Sequence, residues 1–231
     1  MDTGGGRDSG QQCSAGDRFV VHVVDDDDSF RNSLLRLFKA KGLAAVGYAT
    51  LAEFKCADML GAPGCVLLDI CMPDGDGLEL FEALTSDASM LPVIFVSAYT
   101  DIPSSVRAMK SGALDILVKP VLTERLMRSV LRARDVALLR YSTHCAEREL
   151  LERYKTLTAR EKAVFAGVAE GKLNKQVAVE VGACERTIKS ERARMMKKLR
   201  LTRLVDVVRA AETVGLKLSF EHGTATTERQ P

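Results

Sequence analysis

Two groups of carboxylates follow apolar runs in the first half of the sequence. Asp69 comes directly after apolar residues 65–68, and the acidic residues 25–28 come directly after the run at 19–24. Runs rich in β-branched residues are typical of interior parallel strands, whose carboxyl ends meet at one edge of the sheet. Carboxylates crowded together at such an edge repel one another unless a hard cation such as Mg²⁺ binds between them. This spacing therefore predicts a Mg²⁺ and phosphoryl site.

The surrounding pattern predicts the elements that would hold these acids. Five apolar runs alternate with segments of helical periodicity, which predicts a doubly wound α/β domain with a five-stranded parallel sheet. The spacing from Thr50 to Glu53 is that of a capping box and supports a helix start there. The expected strands are residues 19–24, 44–48, 65–68, 93–96 and 114–118, and the expected helices are 30–40, 51–60, 78–84, 106–111 and 124–139.

The second half of the chain shows a different pattern. No strand is convincing after residue 157, and Gly171 and Gly182 are placed to end helices. We therefore expect a small all-α domain after the α/β domain. The predicted organisation is a disordered tail at 1–16, an α/β domain at 17–139, a helical linker at 140–156, an all-α domain at 157–216 with helices at 158–170, 175–181, 185–199 and 202–214, and a second tail at 217–231.

Charge is spread unevenly between the two predicted domains. Residues 17–122 contain 9 Lys/Arg and 15 Asp/Glu, whereas residues 157–216 contain 13 and 7. An acidic domain joined to a basic one indicates two different partners, the second being nucleic acid. The six cysteines form no CxxC pair, which favours reduced thiols. No stretch approaches the length of a membrane span and the N-terminus lacks a signal-type apolar core, so we expect a cytoplasmic protein without a membrane partner.

The carboxylate groups belong to a longer series of short motifs in the first domain. The motifs are Val23-Val24-Asp25-Asp26, Leu68-Asp69-Ile70-Cys71-Met72-Pro73, Asp76-Gly77, Ser97-Ala98 and Lys119-Pro120. In this order and spacing they resemble the receiver domain of response regulators, over residues 18–139. The resemblance implies that a sensor histidine kinase phosphorylates the carboxylate after the third strand, which is Asp69 here.

The receiver resemblance also implies the ligands of the cation. Mg²⁺ would be held by Asp25, Asp26, Asp69 and the main-chain carbonyl of Cys71, with Asp25 acting through water. The chemistry agrees with this set, because oxygen ligands suit Mg²⁺ and the cation neutralises the approaching phosphoryl group. The neighbouring acids Asp27, Asp28, Asp74 and Asp76 are interpreted as solvated.

Three further receiver positions concern the response to the phosphoryl group. Lys119 would contact a phosphoryl oxygen as a point charge, and a cis bond between Lys119 and Pro120 would help to aim it. Ser97 would hydrogen-bond the phosphoryl oxygen and pull its loop inward. Ile116 stands at the switch position, where the family usually has Phe or Tyr. An aliphatic side chain cannot swing a large ring into the space that Ser97 vacates.

A second set of motifs follows in the basic half of the chain. They are Leu157-Thr158-Ala159-Arg160-Glu161, Gly171-Lys172-Leu173-Asn174-Lys175-Gln176-Val177-Ala178, Glu185-Arg186-Thr187-Ile188-Lys189 and Lys198-Leu199. These motifs resemble the helix-turn-helix of the LuxR/NarL family, and with the receiver the match is closest to regulators of the FixJ type. The resemblance implies binding to double-stranded DNA as a homodimer on activation, with residues 102–121 carrying the interface. RNA polymerase is a further candidate partner.

Residues 185–199 are the expected recognition helix, with Ile188, Met195 and Leu199 on its core face. Cys184 and Glu191 replace the Ser and His that are common in the family. Cysteine is a poor N-cap, and Glu191 adds a negative charge beside the DNA. The expected DNA contacts are Thr187, Lys189 and Ser190 near base edges or backbone, and Lys175, Arg192 and Arg194 at phosphates.

Two alternatives remain open at the level of sequence. Because Ile116 is not aromatic, the receiver could serve as a phosphate-independent dimerisation module of a DNA-binding regulator. An Mg²⁺-dependent phosphohydrolase would also use an aspartyl nucleophile at a strand end. Such enzymes place a second Asp two residues later as acid and base, where this chain has Cys71. We therefore expect a regulator and not an enzyme, and we assign no catalytic residue.

Overall fold

A five-stranded parallel sheet forms the centre of the first half of the chain. The computed structural model describes residues 19–57, 62–86, 91–98 and 102–216. Strands β1 (Val20–Val24), β2 (Ala44–Tyr48) and β3 (Gly64–Leu68) are followed by a short antiparallel hairpin of β4 (Cys71–Met72) and β5 (Gly75–Asp76). Strands β6 (Val93–Ser97) and β7 (Asp115–Val118) complete the sheet, whose order is β2-β1-β3-β6-β7. The predicted doubly wound fold is confirmed.

Helices cover both faces of this sheet. They are α1 (Asp28–Ala40), α2 (Leu51–Cys56), α3 (Gly77–Ser86), α4 (Ile102–Lys110) and α5 (Thr123–Lys155). One apolar cluster packs α1 and α5 against the sheet through residues such as Phe38 and Val130. The opposite cluster packs α2, α3 and α4 through residues such as Phe54, Phe81 and Ala108. Because both faces are covered, β3 and β6 are buried along their whole length, which explains their uninterrupted apolar sequences.

Four shorter helices form the second half. They are α6 (Ala159–Ala169), α7 (Asn174–Val181), α8 (Glu185–Leu199) and α9 (Leu204–Thr213). Gly171 and Gly182 adopt the left-handed conformation after α6 and α7, as predicted, because glycine enters this region without steric cost. A third apolar cluster holds these helices together, with Phe165, Val177, Ile188 and Met195 fully buried.

The structure differs from the sequence prediction in the length of α5 and in the hairpin. The expected helix 124–139 and the expected linker 140–156 lie on one helix, and the division of the chain into two compact units falls inside it, after Thr143. The β4 and β5 hairpin was not predicted, because strands of two residues carry no periodicity. The expected helix 51–60 ends at Cys56, and residues 58–61 and both predicted tails lie outside the described residues.

Candidate functional site

Strand pairing places Asp25 and Asp69 side by side at one edge of the sheet. They follow the neighbouring strands β1 and β3, which are paired from Val20 opposite Gly64 to Val24 opposite Leu68. The backbone N–H of Asp69 donates to the carbonyl of Val24 at 3.0 Å, which extends the ladder beyond the strands. Both carboxylates are buried, with Asp25 2% and Asp69 6% exposed. The predicted convergence of strand ends is confirmed.

Lys119 bridges the two buried carboxylates. Its Nζ donates to Oδ2 of Asp25 at 2.7 Å and to Oδ2 of Asp69 at 2.8 Å. Burial alone lowers the pKa of Lys119, but its hydrogen bonds to the two carboxylates outweigh this cost and raise that pKa above its ordinary value. Burial raises the pKa of Asp25 despite the lysine. Lys119 therefore stays positively charged at neutral pH, and the Lys119-Pro120 bond is cis as expected.

Three acids at this edge could hold a metal ion. Asp25, Asp26 and Asp69 each offer a carboxylate oxygen, and these oxygens lie within 4.8 Å of one another. Asp26 is exposed whereas the other two are buried, so the group opens to solvent on one side. The backbone N–H of Cys71 donates to Oδ1 of Asp69 at 3.1 Å, which keeps Cys71 beside this carboxylate. An all-oxygen group open to water suits Mg²⁺, which keeps several water ligands.

Ser97 and Ile116 lie on the strands next to the acids. Ser97 ends β6 and is 1% exposed, and its carbonyl accepts from the backbone N–H of Lys119 at 2.9 Å. This bond places the strand ends that carry Ser97 and Lys119 next to each other. Ile116 is half-buried in the middle of β7 and packs against the core on the α2 and α3 side, while its carbonyl accepts from Arg125. Ser97 is thus brought to the same sheet edge as the acids, and Ile116 lies further back along its strand.

The backbone of Gly77, at the start of α3, lies very close to the backbone carbonyl of Asp69. Gly77 begins α3, and its N–H donates to the carbonyl of Ile70 at 3.0 Å. A Cβ at Gly77 would lie 2.2 Å from the carbonyl oxygen of Asp69, which no side chain can tolerate. The carboxylate of Asp76 accepts from the N–H of Leu78 at 2.8 Å and so caps the first turn of α3. Asp76 therefore caps α3, and Gly77 allows the start of this helix to pack against the backbone of Asp69.

Two features at the start of α1 were not predicted from the sequence. Asp27 caps α1, since its Oδ1 accepts from the N–H groups of Ser29 and Phe30. Hydrogen bonding to Phe30 lowers the pKa of Asp27. The ring of Phe30 lies against Lys119, with Nζ 4.3 Å from the ring centroid. An acidic residue before a helix was the available signal for the cap, whereas no sequence signal indicated the ring contact.

The second half presents a basic helix face to solvent. On α8, Ile188, Met195 and Leu199 are buried, as predicted. The opposite face carries exposed residues that recur at helical spacing. Of the expected DNA contacts, Lys189, Ser190 and Arg194 are exposed, and Lys175 is exposed on α7. Sequence reasoning missed Arg186 and Lys197, which lie on the same outward face as Lys189 and Ser190 and could have been found by extending the helical periodicity.

Thr187 and Arg192 lie closer to the core than the other expected contacts. Arg192 is half-buried one turn after Ile188, and its Nη1 donates to Oδ1 of Asn174 at 3.3 Å. This bond links α8 to the first turn of α7. Thr187 is half-buried, with its Oγ1 3.0 Å from Sγ of Cys184. Cys184 occupies the N-cap position of α8 but makes no capping bond with its side chain, in agreement with the expectation for cysteine.

An ion pair between the buried carboxylate of Glu161 and the exposed side chain of Lys198 fixes the C-terminal end of α8. Glu161 is 2% exposed and accepts from Lys198 Nζ at 2.6 Å. The same carboxylate accepts from the N–H of Thr158, whose hydroxyl accepts from the N–H of Glu161, so a complete capping box begins α6. The Lys198 ammonium is the main reason that the pKa of Glu161 lies below its ordinary value. The pair therefore ties the end of the basic helix to the start of α6.

Two family models match the chain, one in the α/β domain and one in the all-α domain. Residues 21–131 match the response regulator receiver domain, and residues 155–211 match the bacterial regulatory proteins of the luxR family. The chain belongs to the response regulators. It combines a receiver with a LuxR-type DNA-binding domain, as the resemblance in the sequence implied.

Relatives and solved structures cover nearly the whole regulator. It is 36% identical over 218 residues to Nodulation protein W of Bradyrhizobium diazoefficiens, covering 94% of this chain and 96% of that protein. It is 33% identical over 196 residues to the transcriptional regulatory protein FixJ of Azorhizobium caulinodans, covering 85% and 93%. The structure of the response regulator StyR matches with a TM-score of 0.71 and 33% identity over 84% of this chain and 98% of StyR. The predicted FixJ type is confirmed.

The family fixes the general role of the regulator. Its relatives include the transcriptional regulatory protein FixJ, and this chain, which joins a receiver to a LuxR-type DNA-binding domain, is likewise a transcriptional response regulator of a two-component system. Among the described residues, no helix has both the length and the apolar character needed to cross a membrane.

Proposed function

We propose that Asp69 accepts a phosphoryl group from a sensor histidine kinase and that phosphorylation favours a homodimer that binds DNA. The observation that carries this proposal is the bridge from Lys119 to the buried carboxylates of Asp25 and Asp69. A lone buried acid would be a poor nucleophile for an anionic phosphoryl group. A fixed ammonium beside it neutralises the negative charge of the incoming group at the place where the new bond forms.

Each residue around Asp69 has a separate role in the proposed phosphoryl transfer. Asp25, Asp26, Asp69 and the main-chain carbonyl of Cys71 would hold Mg²⁺. The three carboxylates support this, because their oxygens lie close together and Mg²⁺ prefers oxygen ligands. Bound Mg²⁺ would neutralise negative charge on the phosphoryl oxygens. Lys119 contacts one phosphoryl oxygen, and the Ser97 hydroxyl reaches another and draws its loop toward the site. Ile116 places an aliphatic side chain at the switch position, where the receiver family usually has an aromatic one.

The DNA-binding surface of the proposed dimer is the outward face of α8 with the start of α7. The residues that contact base edges or nearby backbone are Thr187, Lys189 and Ser190. The residues that contact DNA phosphates are Lys175, Arg192 and Arg194. The residues Lys175, Lys189, Ser190 and Arg194 are supported by their exposure. Thr187 and Arg192 are half-buried, and Arg192 also donates to Asn174. We assign the receiver to residues 17–139, the linker to 140–156 and the DNA-binding domain to 157–216. We place the regulator in the cytoplasm, acting on transcription and not as an enzyme, with RNA polymerase as a candidate partner.

Phosphoryl uptake tests the receiver half of this proposal. The full chain is incubated with acetyl phosphate and Mg²⁺, and its intact mass and dimer fraction are measured alongside Asp69→Asn. We expect one added phosphoryl group and a larger dimer fraction for the wild type, and neither change for the variant. Continuous release of phosphate at high turnover would instead indicate a phosphohydrolase.

A second candidate function keeps DNA binding but makes the receiver independent of phosphate. The observation that favours it is Ile116, because no ring is present to move when Ser97 moves. The same experiment separates the two functions. An Asp69-dependent mass increase without any change in dimer fraction or DNA affinity would favour the phosphate-independent module.

Salt dependence tests the DNA-binding half. Bound sites are first selected from a random DNA pool, and affinity is then measured against salt concentration for Lys189→Ala and for the exposed linker variant Lys155→Ala. We expect Lys189→Ala to weaken binding by about tenfold, with a salt slope reduced by about 1 if it contacts a phosphate. Lys155→Ala should bind as the wild type does. Equal effects of both variants would show that only net charge matters.

A further inference from the structure

The ring of Phe30 contacts the ammonium group that bridges the acids. Lys119 Nζ lies 4.3 Å from the centroid of this ring, which is within the range of a cation–π interaction. The same Nζ donates to Asp25 and Asp69. The ammonium is therefore held by two carboxylates and by one aromatic face.

The backbone and packing of α1 fix the position of this ring. The N–H of Phe30 donates to Oδ1 of Asp27 in the first turn of α1, so its backbone is tied to the N-cap. The side chain is half-buried and packs against the apolar cluster that holds α1 and α5 on the sheet. Arg31 follows directly and donates to the carbonyl of Asp25, which ties the same turn to the end of β1. The ring is thus part of a rigid support and not a side chain free in solvent.

We infer that Phe30 is a positioning residue for phosphoryl transfer, which acts by holding the Lys119 ammonium at the site while the lysine changes its hydrogen-bond partners. This inference rests on the proposed phosphorylation of Asp69. A cation–π interaction attracts the whole ammonium without using an individual N–H donor. The three donors of Lys119 therefore stay available to oxygen atoms.

The transfer step shows why such a support is needed. A carboxylate oxygen of Asp69 forms a bond to phosphorus as the bond from phosphorus to the acetate oxygen breaks, and acetate leaves with the electron pair. Asp69 then no longer carries the negative charge that faced Lys119, and the charge lies on the phosphoryl oxygens instead. Lys119 must move one N–H from the carboxylate to a phosphoryl oxygen. The ring keeps the flexible lysine chain from turning to solvent during this exchange.

Substitutions at Phe30 separate the aromatic face from apolar bulk. Phe30→Leu keeps an apolar side chain of similar size but removes the quadrupole, whereas Phe30→Tyr keeps the aromatic face. With acetyl phosphate and saturating Mg²⁺, we expect Phe30→Leu to slow phosphoryl uptake about 3- to 10-fold and Phe30→Tyr to remain within about twofold of the wild type. Phe38→Leu is the packing control, since Phe38 is fully buried in the same helix and the same apolar cluster. It should lower stability without slowing uptake.

A double-mutant cycle provides a readout that does not depend on phosphorylation. Urea unfolding of the full chain is compared for Phe30→Leu, Lys119→Met and the double variant. We expect a coupling of about threefold in the unfolding equilibrium constant. Additive effects would overturn the inference, as would wild-type uptake by Phe30→Leu or equal slowing by Phe38→Leu. Failure of the wild type to gain an Asp69-dependent mass would instead contradict the proposed function, and the cycle would still decide whether ring and ammonium interact.

Discussion

The receiver and the DNA-binding domain use their charged residues in opposite ways. In the receiver, the buried carboxylates of Asp25 and Asp69 are paired with the half-buried Lys119 at the carboxyl ends of the strands. In the DNA-binding domain, Arg186, Lys189 and the other basic residues of the outward face of α8 stand in solvent. Buried charges interact strongly at short range, whereas exposed charges are screened and act mainly on a large charged partner.

This difference follows from the task of each region. Transfer of a small anionic group needs a few charges at fixed positions, and burial against a rigid sheet supplies such positions. Contact with a long, regular polyanion needs many accessible cations on one helix face. Glu161 is the exception in the second region, because its buried carboxylate binds the exposed Lys198 and so helps to hold two helices of the domain together.

The largest effect is expected where two buried carboxylates lose their cation. Lys119→Met leaves Asp25 and Asp69 adjacent and uncompensated, so the free energy of unfolding at pH 7 should fall by about 3 kcal/mol. Urea unfolding of the full chain measures this loss. Added Mg²⁺ should restore part of it, since a cation between the acids replaces the missing charge.

Lys155→Met provides the matched control, because Lys155 forms an equally short ion pair with Glu152 but both side chains are largely exposed. Its stability should be nearly that of the wild type. An equal loss in the free energy of unfolding for Lys119→Met and Lys155→Met would contradict the claim that burial strengthens the ion pairs of the receiver site.

A smaller effect is expected at the buried Glu161 carboxylate of the DNA-binding domain. Glu161→Gln weakens both the capping box and the contact with Lys198, so we expect the stability of this domain to fall by about 1 to 2 kcal/mol. Lys198 lowers the folded-state pKa of Glu161 below its ordinary value of 4.5, so this contribution is complete above that value and is lost as the pH falls through the folded-state pKa.

Hydrogen exchange of amides in α6 measures this domain within the full chain. The difference between the wild type and Glu161→Gln should be constant near neutrality and shrink in acid. A difference that grew as the pH fell would contradict the ion pair as its source.

The smallest effect is expected at the start of the recognition helix. Cys184 makes no capping bond, and a serine hydroxyl at the same position can accept from the first turn of α8. Cys184→Ser should therefore slow hydrogen exchange of the first-turn amides about two- to fivefold. Cys145→Ser is the control, because Cys145 lies inside α5, where serine caps nothing. Faster exchange in Cys184→Ser would show that the contact between Cys184 and Thr187 contributes more than a cap.

Much of the fold and of the receiver site was predictable from local sequence patterns. Apolar runs predicted every strand of the main sheet. Asp25 and Asp69 were expected to meet because parallel strands end on the same side, and the receiver resemblance added Lys119. The contact of Phe30 with Lys119 was not predictable, because 89 positions separate these residues and no pattern links them. The half-buried position of Arg192 was missed for a similar reason, since its partner Asn174 lies on another helix.

Local sequence patterns were sufficient to predict the order of the main-sheet strands and of the helices, the two domain types and the residue types that carry charge. These features depend on apolar periodicity, on glycine at helix ends and on short motifs, all of which act over a few residues. Three features became visible only in the folded chain: which charges are buried, which ring contacts Lys119 and which acid pairs with Lys198. Burial and pairing depend on elements that meet after the chain has folded, so no local stretch of sequence contains them.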